Sequence, residues 1–369
     1  MRLIDRTLAR DIAVPFILGL AFLFVVLFSL YFVQGTSVLV GTAVRSLDLL
    51  RIFLFLTPHF LTMGMPIALL MAVLVALGRM SEDREVISWS SAGISPLRLL
   101  AVPLAIGVVI TFLGILLAVF AEPVGRRGVR LQINELIKRN VAGDVQAGIF
   151  YEDLGDLVLY AEGVDPLTHE WSNVLLHDER DREAPLLLLA RHGSIDAAGG
   201  SRSLHIRLDD GRVHRSTSSG LDYAVVGFDR ADIGIWVEWT LLRGNRFGTM
   251  VDEQSIAELR ESATKASGSE KNPRYFLMRL HQRFAQPIAA LAFSVFGVPI
   301  GLARRRSSRA VGLATSTVAA AGYYVLGRVG TALGQSGTLP VLLAANLGNL
   351  IIVGLALLML ARLSRVGVR

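Results

Sequence analysis

Long apolar runs alternate with short charged ones along this chain. Six stretches, roughly 12–34, 50–77, 99–121, 284–303, 311–333 and 340–361, are mostly apolar. A helix needs about 20 such residues to cross the hydrocarbon core of a bilayer. The pattern therefore predicts six membrane-spanning helices, three on each side of a polar region at about 122–283. Pro58 and Pro66 fall inside the second stretch and predict a kink there. The first stretch is longer than the about 7–15 apolar residues of a cleavable signal, so it reads as a retained span.

The period changes in the middle region. Runs at 148–164, 171–179, 184–196, 201–215 and 221–233 are short and broken by Gly, Asp and Asn. That spacing predicts the strands of a small sandwich or jelly roll. Residues 252–265 read as a capped helix and 266–273 as a linker, with Pro273 opening the helix into the fourth span. The expected fold is an α+β membrane protein. Residues 1–121 and 284–369 supply three spans each, and 122–283 form an inserted β-jellyroll-like domain with flanking helices.

Composition agrees with this division. The chain has 369 residues, 52% hydrophobic and 18% charged, against about 45–50% and 25% in soluble domains. Net charge is +6, nearly all from Arg. In a membrane chain that balance bears on orientation and anionic lipid rather than on nucleic acid. Arginines crowd alternate loops: Arg2, Arg6 and Arg10; Arg79, Arg84 and Arg98; Arg304, Arg305, Arg306 and Arg309; Arg362, Arg365 and Arg369. The opposite loops hold only Arg45 at 35–48 and no charge at 334–339. Cytoplasmic loops retain basic residues, so both termini are expected in the cytoplasm and the middle region outside, in the periplasm of a Gram-negative cell. With no Cys in the chain, disulfides and thiolate metal sites are excluded.

No catalytic or cofactor motif stands out. The only lysines are Lys138, Lys265 and Lys271, and none follows a glycine-rich phosphate loop. Apart from His59, acids and histidines are largely absent from the middle of the spans, so an ion-coupling relay is not indicated. Energy for any transport is expected from another subunit. Three features invite function. "EDREVISWSSAG" can form a short cytoplasmic helix with Glu85, Val86 and Trp89 on one face, beside Arg84; it fits a partner's groove or, alternatively, a solvated turn. "GRRGVRLQINELIKRN" sets Arg126, Arg127 and Arg130 just outside the third span, either as an anion-binding rim or as a headgroup anchor. His59 either lines a cavity or bonds a neighbouring helix.

The chain resembles the permease subunits of the lipopolysaccharide exporter, the LptF/LptG (YjgP/YjgQ) family. "PIALLMAVLVALGRMSEDREVISWSSAGIS" (66–95) carries the resemblance most strongly. "EP" at 122–123 followed by Arg130, and "LHQRFAQPIAALAFSVFGVPIG" (280–301), extend it. "GRMSEDREV" and "LHQR" lean towards LptF, and "LIDRTLAR" a little towards LptG. The resemblance implies a heterodimer with the other permease on a dimer of an LptB-like ATPase. It implies extraction of lipopolysaccharide from the outer leaflet of the bacterial inner membrane and its passage to LptC-like and LptA-like bridge proteins. It maps the glutamate of the coupling helix, near 79–93, onto Glu85 and a headgroup-binding arginine onto Arg130, and it puts His59 where a relative carries Lys. The alternative from another class is a membrane-anchored envelope scaffold or receptor.

Overall fold

The computed structural model of the protein describes residues 3–39, 46–91, 95–143, 147–151, 157–165, 168, 170–181, 185–196, 203–216, 223–236, 250–266, 272–303 and 309–366. Arg45, the Arg304–Arg306 cluster and Arg369 lie outside them. The chain divides into two compact units. One comprises Met1–Phe32, Phe53–Arg127 and Met250–Arg369; the other comprises Val33–Ile52 and Gly128–Thr249.

The first unit is helical. Its elements are drawn from α1 (Leu3–Leu39), α2 (Ser46–Glu82), α3 (Glu85–Ser91), a 3-10 turn at Pro96–Leu100, α4 (Ala101–Leu116), a π-helical turn at Leu117–Ala121 and α5 (Glu122–Gly143). After the sheet come a 3-10 turn at Met250–Glu253, α6 (Ile256–Ala266), α7 (Pro273–Ala303), α8 (Arg309–Ser336), α9 (Val341–Ala345) and α10 (Leu347–Val366). Among the described residues four stretches are long and apolar enough to cross a membrane: Ile4–Leu30, Leu47–Glu82, Arg98–Ile133 and Pro273–Leu302. The fifth apolar run lies in α8, which is diluted by Thr315, Ser316, Thr317 and Arg328. The sixth, expected unbroken over 340–361, is two helices. Asn346 leaves helical geometry at φ −98° and ψ 9°, and its amide donates to the Leu342 carbonyl at 3.1 Å.

Helix runs on without a break past the third apolar run. Its apolar part stops at Ala121, yet helix continues to Gly143. Polar residues at 125–140 end the membrane signal without ending the helix. α2 remains helical through Pro58 and Pro66. The core of this unit gathers Leu69, Val73, Leu77 and Met80 of α2 with Val298 and Leu302 of α7. Small residues set the spacing: a Cβ on Gly301 would stand 2.7 Å from Leu77 Cβ, as in other close-packed membrane helices.

The second unit carries six antiparallel strands: β1 (Phe150–Tyr151), β2 (Leu157–Val164), β3 (Trp171–Asp178), β4 (Leu186–Asp196), β5 (Ser203–Ser216) and β6 (Tyr223–Trp236). Their order is β1-β2-β3-β4-β5-β6. This is a meander, without the long crossovers of a jelly roll among the described strands. Short connections favour pairing of consecutive strands. One face buries Leu157, Leu159, Leu176, Leu188, Ile206 and Leu208. The alternation slips along one line. In β3 the buried positions run 178, 176 and 174, then jump to Trp171. Ladder pairing lapses on that line at Asn173, Arg191 and Asp210. Asn173 and Asp210 there adopt φ 50° and 53°, a region that Asn and Asp tolerate. Their side chains bond neighbours on the same line, Asn173 to Glu162 at 2.7 Å and Asp210 to Arg191 at 3.2 Å. Such a slip lets each strand turn a corner while keeping its apolar side inward. Arg180, bonded to Asp178 at the end of β3, also donates to the Gly234 carbonyl of β6 at 3.0 Å. The meander therefore curls, since β3 and β6 are not neighbours in it.

Candidate functional site

α2 and α5 meet backbone to backbone. A Cβ on Gly125 would lie 2.2 Å from the Phe55 carbonyl oxygen, so only glycine permits this approach. One turn along, His59 of α2 faces Glu122 of α5. Pro123 explains the aim of Glu122. Proline has no N–H to give and its ring crowds the preceding turn. The π-helical turn at Leu117–Ala121 makes room, and the Glu122 N–H closes it by bonding the Leu117 carbonyl.

The result is a buried polar cluster. His59 Nδ1 lies 2.9 Å from Glu122 Oε1, and Arg126 Nε donates to the same oxygen at 3.0 Å. Arg126 Nη2 also stands 2.9 Å from His59 Nδ1. That nitrogen cannot both donate to Glu122 and accept from Arg126, so a neutral ring satisfies one partner at a time. The three side chains are only 9%, 13% and 12% exposed for His59, Glu122 and Arg126.

Glu122 and Arg126 form part of the wall of a cavity of about 400 Å³. Arg279 and Arg283 of α7, Arg328 of α8 and Asp252 complete its charged lining. Four arginines thus face two carboxylates. Arg283 Nη2 donates to the Asp252 carbonyl at 2.8 Å, while its Nη1 is buried without a hydrogen-bond partner among the described residues. Arg279 pairs with Asp252 at 3.3 Å and sits over the Tyr275 ring at 5.7 Å. Gln282 ties α7 to α8 by donating to Thr331 Oγ1 at 2.8 Å. His59 precedes Arg79 on α2 by about 30 Å at the usual rise per residue. That is the depth of a bilayer core, so cavity and α3 mark opposite ends of the spans.

The residues singled out in the sequence separate here. His59 is held behind the cavity wall, bonded to a neighbouring helix. Arg126 is in the wall. Arg127 is not; its Nε donates to the Glu253 carbonyl at 3.0 Å and it pairs with Glu258. Glu258 in turn closes a capping box on α6, accepting from the Ser255 N–H at 2.7 Å. That backbone bond, with Arg127 beside it, holds the Glu258 carboxyl below its ordinary range. Arg130 belongs to the second unit and is half-buried. Arg279, Arg283 and Arg328 were missed. The signal for Arg328 was present, a lone arginine in an apolar run; Arg279 and Arg283 stand one turn apart before the fourth run.

At the far end, Arg84 turns the chain from α2 into α3 with φ 59°. It occupies the left-handed helix-ending position where glycine is usual. Its carbonyl accepts from the Ser88 N–H at 3.1 Å. Glu85, Val86 and Trp89 do share a face, but that face turns inward. Val86 is buried, Trp89 packs against the helical core and Glu85 is half-buried. Glu82, Asp83, Arg84, Ile87 and Ser88 are exposed.

No curated protein matches the chain. The profile of the lipopolysaccharide export system permeases LptF/LptG matches residues 6–362, both helical ends and the strands between them. With nearly the whole length matched, the chain belongs to the LptF/LptG family of lipopolysaccharide export permeases.

Proposed function

We propose that the chain is one permease of an ABC-type exporter that draws lipopolysaccharide from the outer leaflet of the bacterial inner membrane. It spans the membrane six times, with both termini cytoplasmic and the curled β-meander domain in the periplasm. It pairs with the other LptF/LptG permease on an LptB-like ATPase dimer, which hydrolyses the ATP. It has no catalytic site or cofactor of its own. Lipid passes through the periplasmic domain to LptC-like and LptA-like bridge proteins. Glu85, with Arg84 and Trp89 around it, couples the ATPase to the spans.

The observation that carries this reading is the buried donor of Arg283 in a cavity rich in arginine. An unsatisfied buried donor costs about 1–3 kcal/mol, which an anionic oxygen would recover. Guanidinium groups suit phosphate because they bind it with two parallel bonds. Arg126 belongs to that wall, His59 steadies it, and Arg130 is a further headgroup contact in the second unit. Arg127 serves by holding α6. The test is Arg328→Glu in the complex reconstituted with its partners. Stimulation of ATP hydrolysis by phosphorylated lipid is expected to fall about tenfold, the effect of losing one charge-assisted bond, with basal hydrolysis kept. Unchanged stimulation, together with no lipid captured by a photocrosslinker at Gln286, would remove the cavity from the lipid path.

A further inference from the structure

We propose that the first three turns of α1 are part of the coupling element, with Asp5 and Asp11 as positioning residues that strap α1 to both flanks of α3. The inference rests on the coupling role proposed for Glu85. Its observations are independent of that role.

Arg79, near the end of α2, donates to Asp11 at 2.6 Å. Arg98, in the turn that leads into α4, donates to Asp5 at 2.9 Å. The two acids stand about 9 Å apart along α1. They therefore bracket the step between the end of α2 and the start of α4, the step that α3 makes. Both acids are only 17% exposed, although their arginines are more open. Between and beyond them, Leu8 and Ile12 are buried at 1% and 0%. They share one core cluster with Met80 of α2, Val86 of α3 and Leu99 of the turn before α4. Asp5, Leu8, Asp11 and Ile12 recur at helical spacing on the inner face, while Arg6 and Arg10 are exposed. Past this seat the other face of α1 is bare, with Val14, Ile17, Leu18 and Phe22 exposed.

Half-exposed ion pairs contribute little stability by themselves. Their work here is register. The apolar seat holds α1 against the coupling element, and the two pairs fix where along it α1 sits. A push on α3 then moves α1 together with α2 and α4.

The test uses the full exporter reconstituted in vesicles. D5R/D11R is expected to assemble and hydrolyse ATP, with lipid released per ATP lowered about tenfold, the factor that reversal of two such pairs supports. The swap D5R/R98D/D11R/R79D is expected to restore release. Normal release by an assembled D5R/D11R complex would overturn the strap. The chain has no native cysteine, so D11C/R79C offers a second measurement that does not depend on the charge variants folding. Joining the two thiols with a short bis-maleimide is expected to leave release intact, because α1 and α2 move as one there. Loss of release on joining would show that they must slide, and the strap fails. Glu85→Ala is run beside them. If it leaves release per ATP unchanged, the coupling reading falls; if it lowers release while D5R/D11R does not, the strap alone falls.

Discussion

Removing the Glu122 carboxylate isolates what the buried cluster contributes. Glu122→Leu leaves the Arg126 guanidinium, 12% exposed, without the oxygen that takes its Nε bond. It also takes from His59 the acceptor at 2.9 Å. Breaking a buried ion pair from one side costs about 3–5 kcal/mol, because the remaining charge is stranded in a medium that cannot solvate it. Replacing both partners by apolar groups is far less costly. E122L should therefore lower the apparent melting temperature in detergent by on the order of 10 °C. E122L/R126M should recover most of that loss, and Glu122→Gln, which keeps the shape, should lose less than E122L. The double-mutant cycle is the assay, since contacting residues are non-additive. An E122L protein within about 0.5 kcal/mol of the native one, or a double variant that is simply the sum of its parts, would refute the cluster as a coupled unit.

Two further predictions follow from local geometry. Gly125→Ala puts a methyl 2.2 Å from the Phe55 carbonyl oxygen and should cost about 1–3 kcal/mol by prising α5 off α2, read as a lower melting temperature; Gly227→Ala, with open space around it, is the silent control. In the sheet, burial raises the Asp178 carboxyl but hydrogen bonds from Arg180 outweigh it, so the group ionises below its ordinary range. A depressed folded value contributes stability above the unfolded value of about 4 and loses it as pH falls through the folded one; protease sensitivity of β3 should rise on acidification below about pH 4, and Asp178→Asn should flatten that rise.

Membrane-spanning segments were legible because water and lipid impose the same demand at every position. A helix in a bilayer must be apolar along its length, so composition alone reports the first four runs. The strands were legible for a related reason, since Gly, Asp and Asn interrupt them at turns; each predicted run overlaps an observed strand, but 148–164 holds both β1 and β2, and β5 and β6 run on to Ser216 and Trp236, past the predicted ends. Pro273 opens α7 where its missing N–H is harmless. The signal ran out where one feature serves two ends. Polar residues after Ala121 stop a membrane pattern without stopping a helix, so the boundary at 121 was compositional rather than structural. In the sixth run nothing apolar distinguishes Asn346 as the break.

The candidate site divides along the same line. Residue type and position in the sequence alone determined that His59 was anomalous in the second span, that Arg126 followed the end of the third, and that Arg84 and Glu85 lay in the short connection between those two. Which arginines share a cavity was decided by tertiary structure. Arg126 and Arg127 are chemically equal and adjacent, yet successive helical residues point about 100° apart, so one reaches the cavity and the other the cap of α6. Arg283 and Arg328 come from separate helices, and Asp5 and Asp11 meet arginines 93 and 68 residues away. Pairings of that kind depend on which helix faces pack together, and packing is a property of shape that no local pattern of residues contains.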